Sequence, residues 1–357
     1  MNEPHKPTDS GNGAQPAPRK TFDRRALLVG GGAAAAGVLA YPYGRQLAMG
    51  RSPVFIARNQ SYNGPLEQTI RDGLLAVGID PVAYKGRRVL LKPNLVEPMR
   101  GSPQMTTHPA MVVATAEVFR REGAEVTVGE APGHVRDTEM ALIEARLAGA
   151  LHEARLSFAD MNYQESRFVR NACGLSKLPG FFFPQAVAEA DLIVSMPKMK
   201  THHWVGVTLS MKNLYGTLPG CKYGWPKNVL HYNGIPETVV DINASLPTTI
   251  AVIDGIECME GDGPILGTPK QMGLVVVGAD RLATDATCAR IMGFEPALVP
   301  YLGLAYQAGL GQMHHALIRQ MGERWQPLVS PFRILDDSRF NQHLRSLQTR
   351  AAAVQTS

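Results

Sequence analysis

The chain has 357 residues, with 36 Lys and Arg against 31 Asp and Glu, a formal net charge of +5. Residues 1–50 hold six of the basic and three of the acidic residues, so +3 of this charge belongs to that segment and +2 to the rest. A body so close to neutral predicts no nucleic-acid partner. The four cysteines lack a C-x-x-C spacing, which predicts neither a ferredoxin-type cluster loop nor a zinc ribbon, and they are expected to be buried thiols.

The N-terminal segment has the pattern of an export signal. Its first 20 residues are polar and rich in Pro and Gly, and Arg24 and Arg25 then precede an uncharged Ala- and Gly-rich stretch over residues 26–40. That stretch is too short to span a membrane, and the paired arginines favour the twin-arginine route. We therefore expect the twin-arginine export machinery to deliver the protein to the periplasm or another extracytoplasmic compartment. The signal is either cleaved, with Gln46-Leu47-Ala48 as the candidate site, or kept as a membrane tether.

From residue 51 on, β-rich runs alternate with helical patterns, as in a mostly parallel sheet covered by helices. The predicted strands are Val54–Ala57, Arg88–Leu91, Glu125–Val128, Asp191–Ser195, Thr248–Ile253 and Gly273–Val277. The predicted helices are Pro65–Val77, Pro109–Glu122, one from Asp137 to about Leu147, Gln185–Ala190, Glu237–Ser245, one from Asp280 to about Gly293, and one or two after Pro300. We predict an α/β domain over residues 51–311, as one core or two intimate lobes, and a C-terminal helical extension and tail over residues 312–357.

Polar residues follow four of the predicted strands. In chain order they are Lys92, Asn94, Glu130, His134, the segment 197–220 and the segment 254–269. Ligands of open parallel sheets bind beyond the carboxyl ends of the strands. We therefore expect these residues to form a site together.

The segment 197–220 has the densest set of reactive side chains, with three lysines, two histidines and Asn213. Clustered lysines lower one another's pKa and attract an anion such as a carboxylate or phosphate, and such a lysine can act as a base or form a Schiff base. A nearby histidine can transfer protons. The predicted catalytic residues are Lys212, Lys200, His202 and His108, and the predicted substrate-binding residues are Lys92, Asn94, Lys198, Asn213 and Glu130. The alternatives are a solvated loop for this segment and a helix-capping role for His108.

The segment 254–269 is acidic, with four carboxylates within nine residues among glycines. Magnesium and calcium take oxygen ligands of this kind, although the order required for an EF-hand is absent. Asp254, Glu257 and Asp262 are therefore candidate ligands for a metal ion. A solvated acidic turn is the alternative.

Five stretches between residues 88 and 311 resemble the family named domain of unknown function 362. They are LLKPNLVEP, TTHPAMVVATAEVFRREGAEVTVGEAPG, ADLIVSMPKMKTHHWVGVTLSMKNLYGTLPG, AVIDGIECMEGDGPILGTP and GADRLATDATCARIMGF. The resemblance implies an α/β fold and a map of the site, with no settled activity. Members often carry a ferredoxin-like cluster segment and many are regarded as iron–sulfur proteins, but this sequence lacks that segment.

The segment His203–Gly220 is also similar to a His-, Gly- and Lys-containing segment of lactate racemase, which holds a nickel-pincer cofactor on a lysine. That similarity implies Lys212 as the cofactor lysine and His202 or His203 as a proton-transfer residue.

Three functions remain open at this point. The first is an enzyme acting on a small anionic substrate through the Lys/His site. The second is a metal- or iron–sulfur-associated redox protein, and the third is a non-catalytic protein that binds an anion or a peptide.

Overall fold

The computed structural model describes residues 51–335, so the expected export signal and residues 336–357 lie outside the described part. The strands are β1 Ser52–Ala57, β2 Arg88–Pro93, β3 Glu125–Glu130, β4 Ser157–Asp160, β5 Ser166–Arg170, β6 Gly180–Pro184, β7 Leu192–Met196, β8 Lys198–His202, β9 Gly206–Thr208, β10 Thr249–Glu260, β11 Thr268–Gly278 and β12 Ile318–Gly322. The helices are α1 Leu66–Ala76, α2 Pro109–Arg120, α3 Thr138–Glu144, α4 Leu147–Glu153, α5 Gln185–Ala188, α6 Ser210–Asn213, α7 Gly220–Tyr223, α8 Asn228–Tyr232, α9 Ile235–Ser245, α10 Arg281–Ile291 and α11 Pro300–Gln307. Short 3-10 turns lie at Pro81–Tyr84, Pro103–Met105, Leu214–Thr217, Pro296–Leu298, His315–Leu317 and Gln326–Leu328.

One mixed sheet organises the described residues. Its strand order is β12-β1-β11-β10-β7-β2-β3-β4, with β8 pairing to β10 and β9 to β8, while β5 and β6 form a separate hairpin. The pairs β1–β11, β10–β11 and β8–β9 are antiparallel and the other pairs of this sheet are parallel. The predicted α/β fold with a mostly parallel sheet is confirmed.

Helices cover the sheet on both faces, which explains why its central strands are continuously apolar. In β10, Ile250 and Val252 pack into one core, while Ala251 and Ile253 pack into the other. Helices α1, α2 and α4 bury apolar side chains in the first core, and α6, α9, α10 and α11 bury theirs in the second. The run Asp191–Ser195, predicted as a buried strand, is β7, and all five residues of β7 are buried.

Local signals located most helix starts correctly. The carboxylate of Asp137 accepts a hydrogen bond from Met140 N at 2.9 Å, and that of Asp280 accepts one from Ala283 N at 3.0 Å. Side chains at the position before a helix commonly satisfy its first N–H groups in this way. Both predicted caps are confirmed.

Three segments differ from the prediction because they pair with distant strands. The segment 197–220 contains β8, β9 and α6, which were not predicted, and the alternative of a solvated loop is wrong because these elements are mostly buried. Strand β10 continues to Glu260 instead of ending at Ile253, because β8 and β11 flank it on either side. Residues 318–322, expected in a helical extension, form β12 and pair in parallel with β1.

Two further properties of residues 51–335 bear on the sequence analysis. Within this range, no helix is both long and apolar enough to cross a membrane. The four cysteines are free thiols; Cys258 and Cys288 are buried as expected, whereas Cys221 is exposed and Cys173 is intermediate.

Candidate functional site

A pocket lies beyond the carboxyl ends of β2 and β3, beside β8 and α6. It holds roughly 680 Å³ of space, part of which is open to solvent. The lining residues are Asn94, Val96, Glu130, Ala131, Gly133, His134, His202, His203, Trp204, Thr208, Lys212, Asn213, Tyr215, Gly216, Pro226, Lys227, His231, Pro264 and Ile265. Five of the predicted site residues are therefore in one place: Asn94, Glu130, His202, Lys212 and Asn213.

Lys212 differs from the other lysines near this pocket. It is partly exposed, and its Nζ lies 4.0 Å from the centroid of the Tyr215 ring. Within residues 51–335, this ammonium group forms no hydrogen bond or ion pair with a carboxylate or carbonyl. Burial, followed by repulsion from Lys92, lowers the pKa of Lys212 to about 7. Near neutral pH a large share of this side chain is therefore the uncharged, nucleophilic amine.

Lys200 and Lys227 are held by backbone carbonyls. Lys200 Nζ donates to Met105 O at 2.7 Å and to Pro264 O at 3.1 Å, and Lys200 does not line the pocket. Lys227 Nζ donates to three carbonyls, at 2.6 to 3.0 Å. Burial lowers the pKa of both lysines. The pKa of Lys227 falls to about 7, although attraction to the Glu130 carboxylate acts to raise it. Through these hydrogen bonds the two lysines support the walls of the site.

A buried polar network joins β2, β3 and α6 behind Lys212. Lys92 forms an ion pair with Glu130 and also donates to Asn213 Oδ1 at 3.1 Å. Burial lowers the pKa of Lys92 and raises that of Glu130, while their mutual attraction opposes both shifts. Asn213 Oδ1 also accepts from Asn94 Nδ2 at 3.1 Å. A Cβ at Gly216 would overlap both Lys92 and Glu130, so the turn after α6 requires glycine there.

Imidazole and indole rings form one side of the pocket. The centroid of the His231 ring lies 5.1 Å from that of Trp204 and 5.9 Å from that of Tyr215. Burial and the neighbouring Lys212 lower the pKa of His231 to about 4 and that of His202 well below its ordinary value. His202 Nδ1 accepts from Trp204 N at 3.2 Å, which leaves Nε2 as the protonated nitrogen of a neutral ring. Both rings are thus uncharged near neutral pH.

His108 and Lys198 belong to a second polar cluster. Lys198 Nζ donates to Asp254 Oδ2 at 2.6 Å and to Tyr62 OH at 2.9 Å, and Tyr62 OH donates to Asp254 Oδ1 at 3.0 Å. The His108 ring stacks on Tyr62 at 3.7 Å, and His108 Nδ1 accepts from Ala110 N at the start of α2. His108 is therefore a helix-capping residue, and it lines a separate pocket near Arg146. The structure does not bring it to Lys212.

The three candidate metal ligands each have a different partner. Asp254 pairs with Lys198, Glu257 Oε2 accepts from Gln271 Nε2 at 2.9 Å, and Asp262 Oδ1 lies 3.2 Å from His203 Nδ1. Within residues 51–335, no group of three or more His, Cys, Asp or Glu is arranged to hold a metal ion. The cofactor on Lys212 that the resemblance to lactate racemase implies stays a prediction; Lys212 and His202 do line one pocket. That pocket offers an amine and imidazoles, without a complete set of metal ligands among the described residues.

Several lining residues were not among the predicted site residues. Lys227, His231 and Tyr215 come from the chain after α6, and Trp204 and Thr208 from the hairpin β8–β9. His134, which follows β3, did carry the strand-end signal, and its Nδ1 lies 3.3 Å from Glu97 Oε2. Trp204, Thr208 and Tyr215 lie within the segment 197–220 that was expected at the site, whereas no local sequence pattern marks Lys227 and His231, which the packing of α8 brings there.

Comparison with known proteins places the chain in a family. The family model for domain of unknown function 362 matches residues 89–290, more than half of the chain, so the chain belongs to that family. A thylakoid-associated protein of Synechocystis sp. is 29% identical over 263 residues, which cover 72% of this chain and 79% of that protein.

Two solved structures are similar at low identity. The lactate racemase apoprotein from Thermoanaerobacterium thermosaccharolyticum has a TM-score of 0.43 and 11% identity, covering 68% of this chain and 57% of that one. A Thermotoga maritima protein has a TM-score of 0.38 and 13% identity, covering 70% of this chain and 60% of that one. This chain therefore spans less than two thirds of either solved chain, and likeness at this level carries no argument about activity.

Proposed function

We propose that this member of the family of domain of unknown function 362 is an enzyme that acts on a small anionic substrate through the amine of Lys212. The observation that carries the proposal is the contrast between Lys212 and its neighbours. Lys92, Lys198, Lys200 and Lys227 donate to carboxylates or carbonyls, whereas Lys212 has no such partner among the described residues. An amine held in a pocket without a counter-ion is suited to bind an anion and to react with it.

The arrangement supports a reaction at a carbonyl group. The Lys212 amine attacks the carbonyl carbon, and loss of water leaves a Schiff base between that carbon and Nζ. Both hydrogens of the departing water come from the amine, and the neutral His202, whose Nε2 carries a proton, is placed in the same pocket to donate a hydrogen bond to the departing oxygen. The protonated fraction of Lys212 and the N–H groups of Lys227, which lines the same pocket, favour a substrate carboxylate.

The test is trapping with borohydride. The full chain is incubated with pyruvate, a small anion with a carbonyl group, and then with sodium borohydride, which reduces a Schiff base to a stable secondary amine. We expect a mass increase on the peptide containing Lys212 and no modification in Lys212→Ala. Lys222→Ala is the matched control, because Lys222 is exposed, lies over the Phe182 ring and is outside the pocket.

Two outcomes contradict the proposal. Equal trapping in Lys212→Ala shows that the reactive amine is elsewhere. Pyruvate binding that depends on Lys212 but gives neither trapping nor turnover of any carbonyl acid identifies a binding protein instead of an enzyme.

We also infer that the protein works outside the cytoplasm after export by the twin-arginine route. Arg24 and Arg25 followed by the apolar stretch of residues 26–40 support this, and the Synechocystis relative is itself thylakoid-associated. Replacing both arginines by lysine should leave the protein in the cytoplasm, as measured by cell fractionation. Unchanged export of that variant would refute the twin-arginine route.

A further inference from the structure

The orientation of one side-chain amide in the pocket is fixed by its neighbours. Lys92 can only donate, so the atom of Asn213 that faces it at 3.1 Å must be the carbonyl oxygen Oδ1. The same oxygen faces the amide of Asn94 at 3.1 Å, so Asn94 must present its Nδ2 there. Asn94 Oδ1 therefore has to point elsewhere, and rotating the amide would bring two carbonyl oxygens together.

Asn94 Oδ1 has no hydrogen-bond partner among the described residues, although Asn94 is 4% exposed and lines the pocket. Thr208 lines the same pocket, is 3% exposed, and its hydroxyl also lacks a partner. Buried polar atoms are nearly always satisfied, so an unsatisfied one calls for an explanation such as a bound ligand. These two unsatisfied atoms belong to residues that line the same pocket as Lys212, whose amine also lacks a partner. We take this to indicate that a bound ligand completes their hydrogen bonding.

The chemistry of the two unpaired atoms restricts that occupant. A carbonyl oxygen accepts and cannot donate, whereas a hydroxyl can do either. We infer that the anionic ligand of this pocket also carries an N–H or O–H group, which donates a hydrogen bond to Asn94 Oδ1 while the anionic group lies at Lys212. This inference rests on the proposed function and narrows its substrate class to small carboxylates that bear an amide, amino or hydroxyl group.

Oxamate and pyruvate are matched in shape, because an amide NH₂ in oxamate replaces the methyl group of pyruvate. A Schiff base of pyruvate with Lys212 can only raise the apparent affinity for pyruvate, so a preference for oxamate has to overcome it. Sites that hydrogen-bond a polar group discriminate strongly against analogues lacking it, since the buried partner is then left unpaired. We expect titration calorimetry on the full chain to show oxamate binding at least about tenfold more tightly than pyruvate. Equal affinities, tighter binding of pyruvate, or no binding of oxamate at millimolar concentration would overturn the inference.

Two variants test whether Asn94 Oδ1 causes the preference for oxamate over pyruvate. Asn94→Ala removes the acceptor and should reduce the oxamate-to-pyruvate affinity ratio to about one, whereas Lys222→Ala should preserve it. A ratio in Asn94→Ala equal to that of the wild type would overturn the role of Asn94. Should Asn94→Ala not fold, the wild-type ratio alone decides the inference.

Lys212→Ala separates this inference from the proposed function. Loss of affinity for both probes in that variant, with equal wild-type affinities, would leave the anion site standing and refute the donor requirement. Undiminished affinity for both probes in Lys212→Ala, with oxamate still preferred, would support Asn94 and refute Lys212 as the anion-binding residue.

Discussion

The carboxylate of Asp285 accepts hydrogen bonds from Ser210, the first residue of the helix that carries Lys212. It accepts hydrogen bonds from Ser210 N at 2.8 Å and Ser210 Oγ at 2.6 Å, and a third from Met211 N at 2.9 Å. Helix α6 has four residues, too few to be stable without tertiary support. Asp285, 75 residues away along the chain, therefore fixes the position of the predicted reactive amine.

Asp285→Asn should destabilise the protein and reduce trapping at Lys212. The amide has one acceptor oxygen instead of two and brings an NH₂ group against backbone N–H donors. The free energy of unfolding should fall by about 2 kcal/mol, measured by urea denaturation. Asp137→Asn is the control, because asparagine also caps helices and α3 does not contribute to the pocket. Unchanged stability and unchanged trapping in Asp285→Asn would show that Asp285 does not anchor α6.

The same carboxyl predicts a pH dependence of stability. Burial raises the pKa of the Asp285 carboxyl to about 7, although its hydrogen bonds to Ser210 and Met211 act to lower it. The carboxyl therefore binds a proton more tightly in the folded state than in the unfolded state. Its contribution is fully present below about pH 4 and is lost as the pH rises to about 7. The wild type should therefore lose stability relative to Asp285→Asn across this range. If the difference in the free energy of unfolding between the wild type and Asp285→Asn stays constant from about pH 4 to about pH 7, the pKa of Asp285 is not raised.

Lys212 should react as an amine at unusually low pH. Because burial and Lys92 lower its pKa to about 7, reductive methylation with formaldehyde and cyanoborohydride should be half-maximal near that pH. Peptide mass spectrometry across a pH series measures this directly. Exposed lysines in the same digest serve as the internal control, since free lysine side chains titrate near pH ~10. Methylation of Lys212 that follows the exposed lysines would exclude a perturbed amine.

Gly216→Ala should be strongly destabilising. The added Cβ would overlap the side chains of Lys92 and Glu130, which form a buried ion pair. Separating this pair would leave a buried charge without its counter-ion. We expect a loss of about 3 kcal/mol in the free energy of unfolding. Gly149→Ala, in the exposed part of α4 with open space around its Cβ, should instead gain about 1 kcal/mol. Similar effects of the two substitutions would refute the close packing at Gly216.

Local patterns predicted the elements that depend on neighbouring residues. Helix α2 was located from its apolar spacing and Pro109, and α10 from its cap Asp280. Strands β8, β9 and β12 were missed because β8 and β12 pair with strands far away in the chain, and their own residues lack a strong alternation. Lys198, Lys200 and His202 lie on β8, so the segment with the densest set of candidate residues was also one whose structure was not predicted.

The sequence by itself determined that this is an α/β protein of a known family with lysines, histidines and amides clustered after its strands. The fold class and the cluster after the strands follow from apolar runs, caps and strand ends, which are local properties, whereas the family follows from the five stretches that resemble it. Only the tertiary structure decided which lysine is left without a partner. Lys198 meets Asp254, Lys200 meets Met105 O, and Lys212 alone of these three meets an open pocket, because ion pairs and hydrogen bonds form between residues that packing brings together.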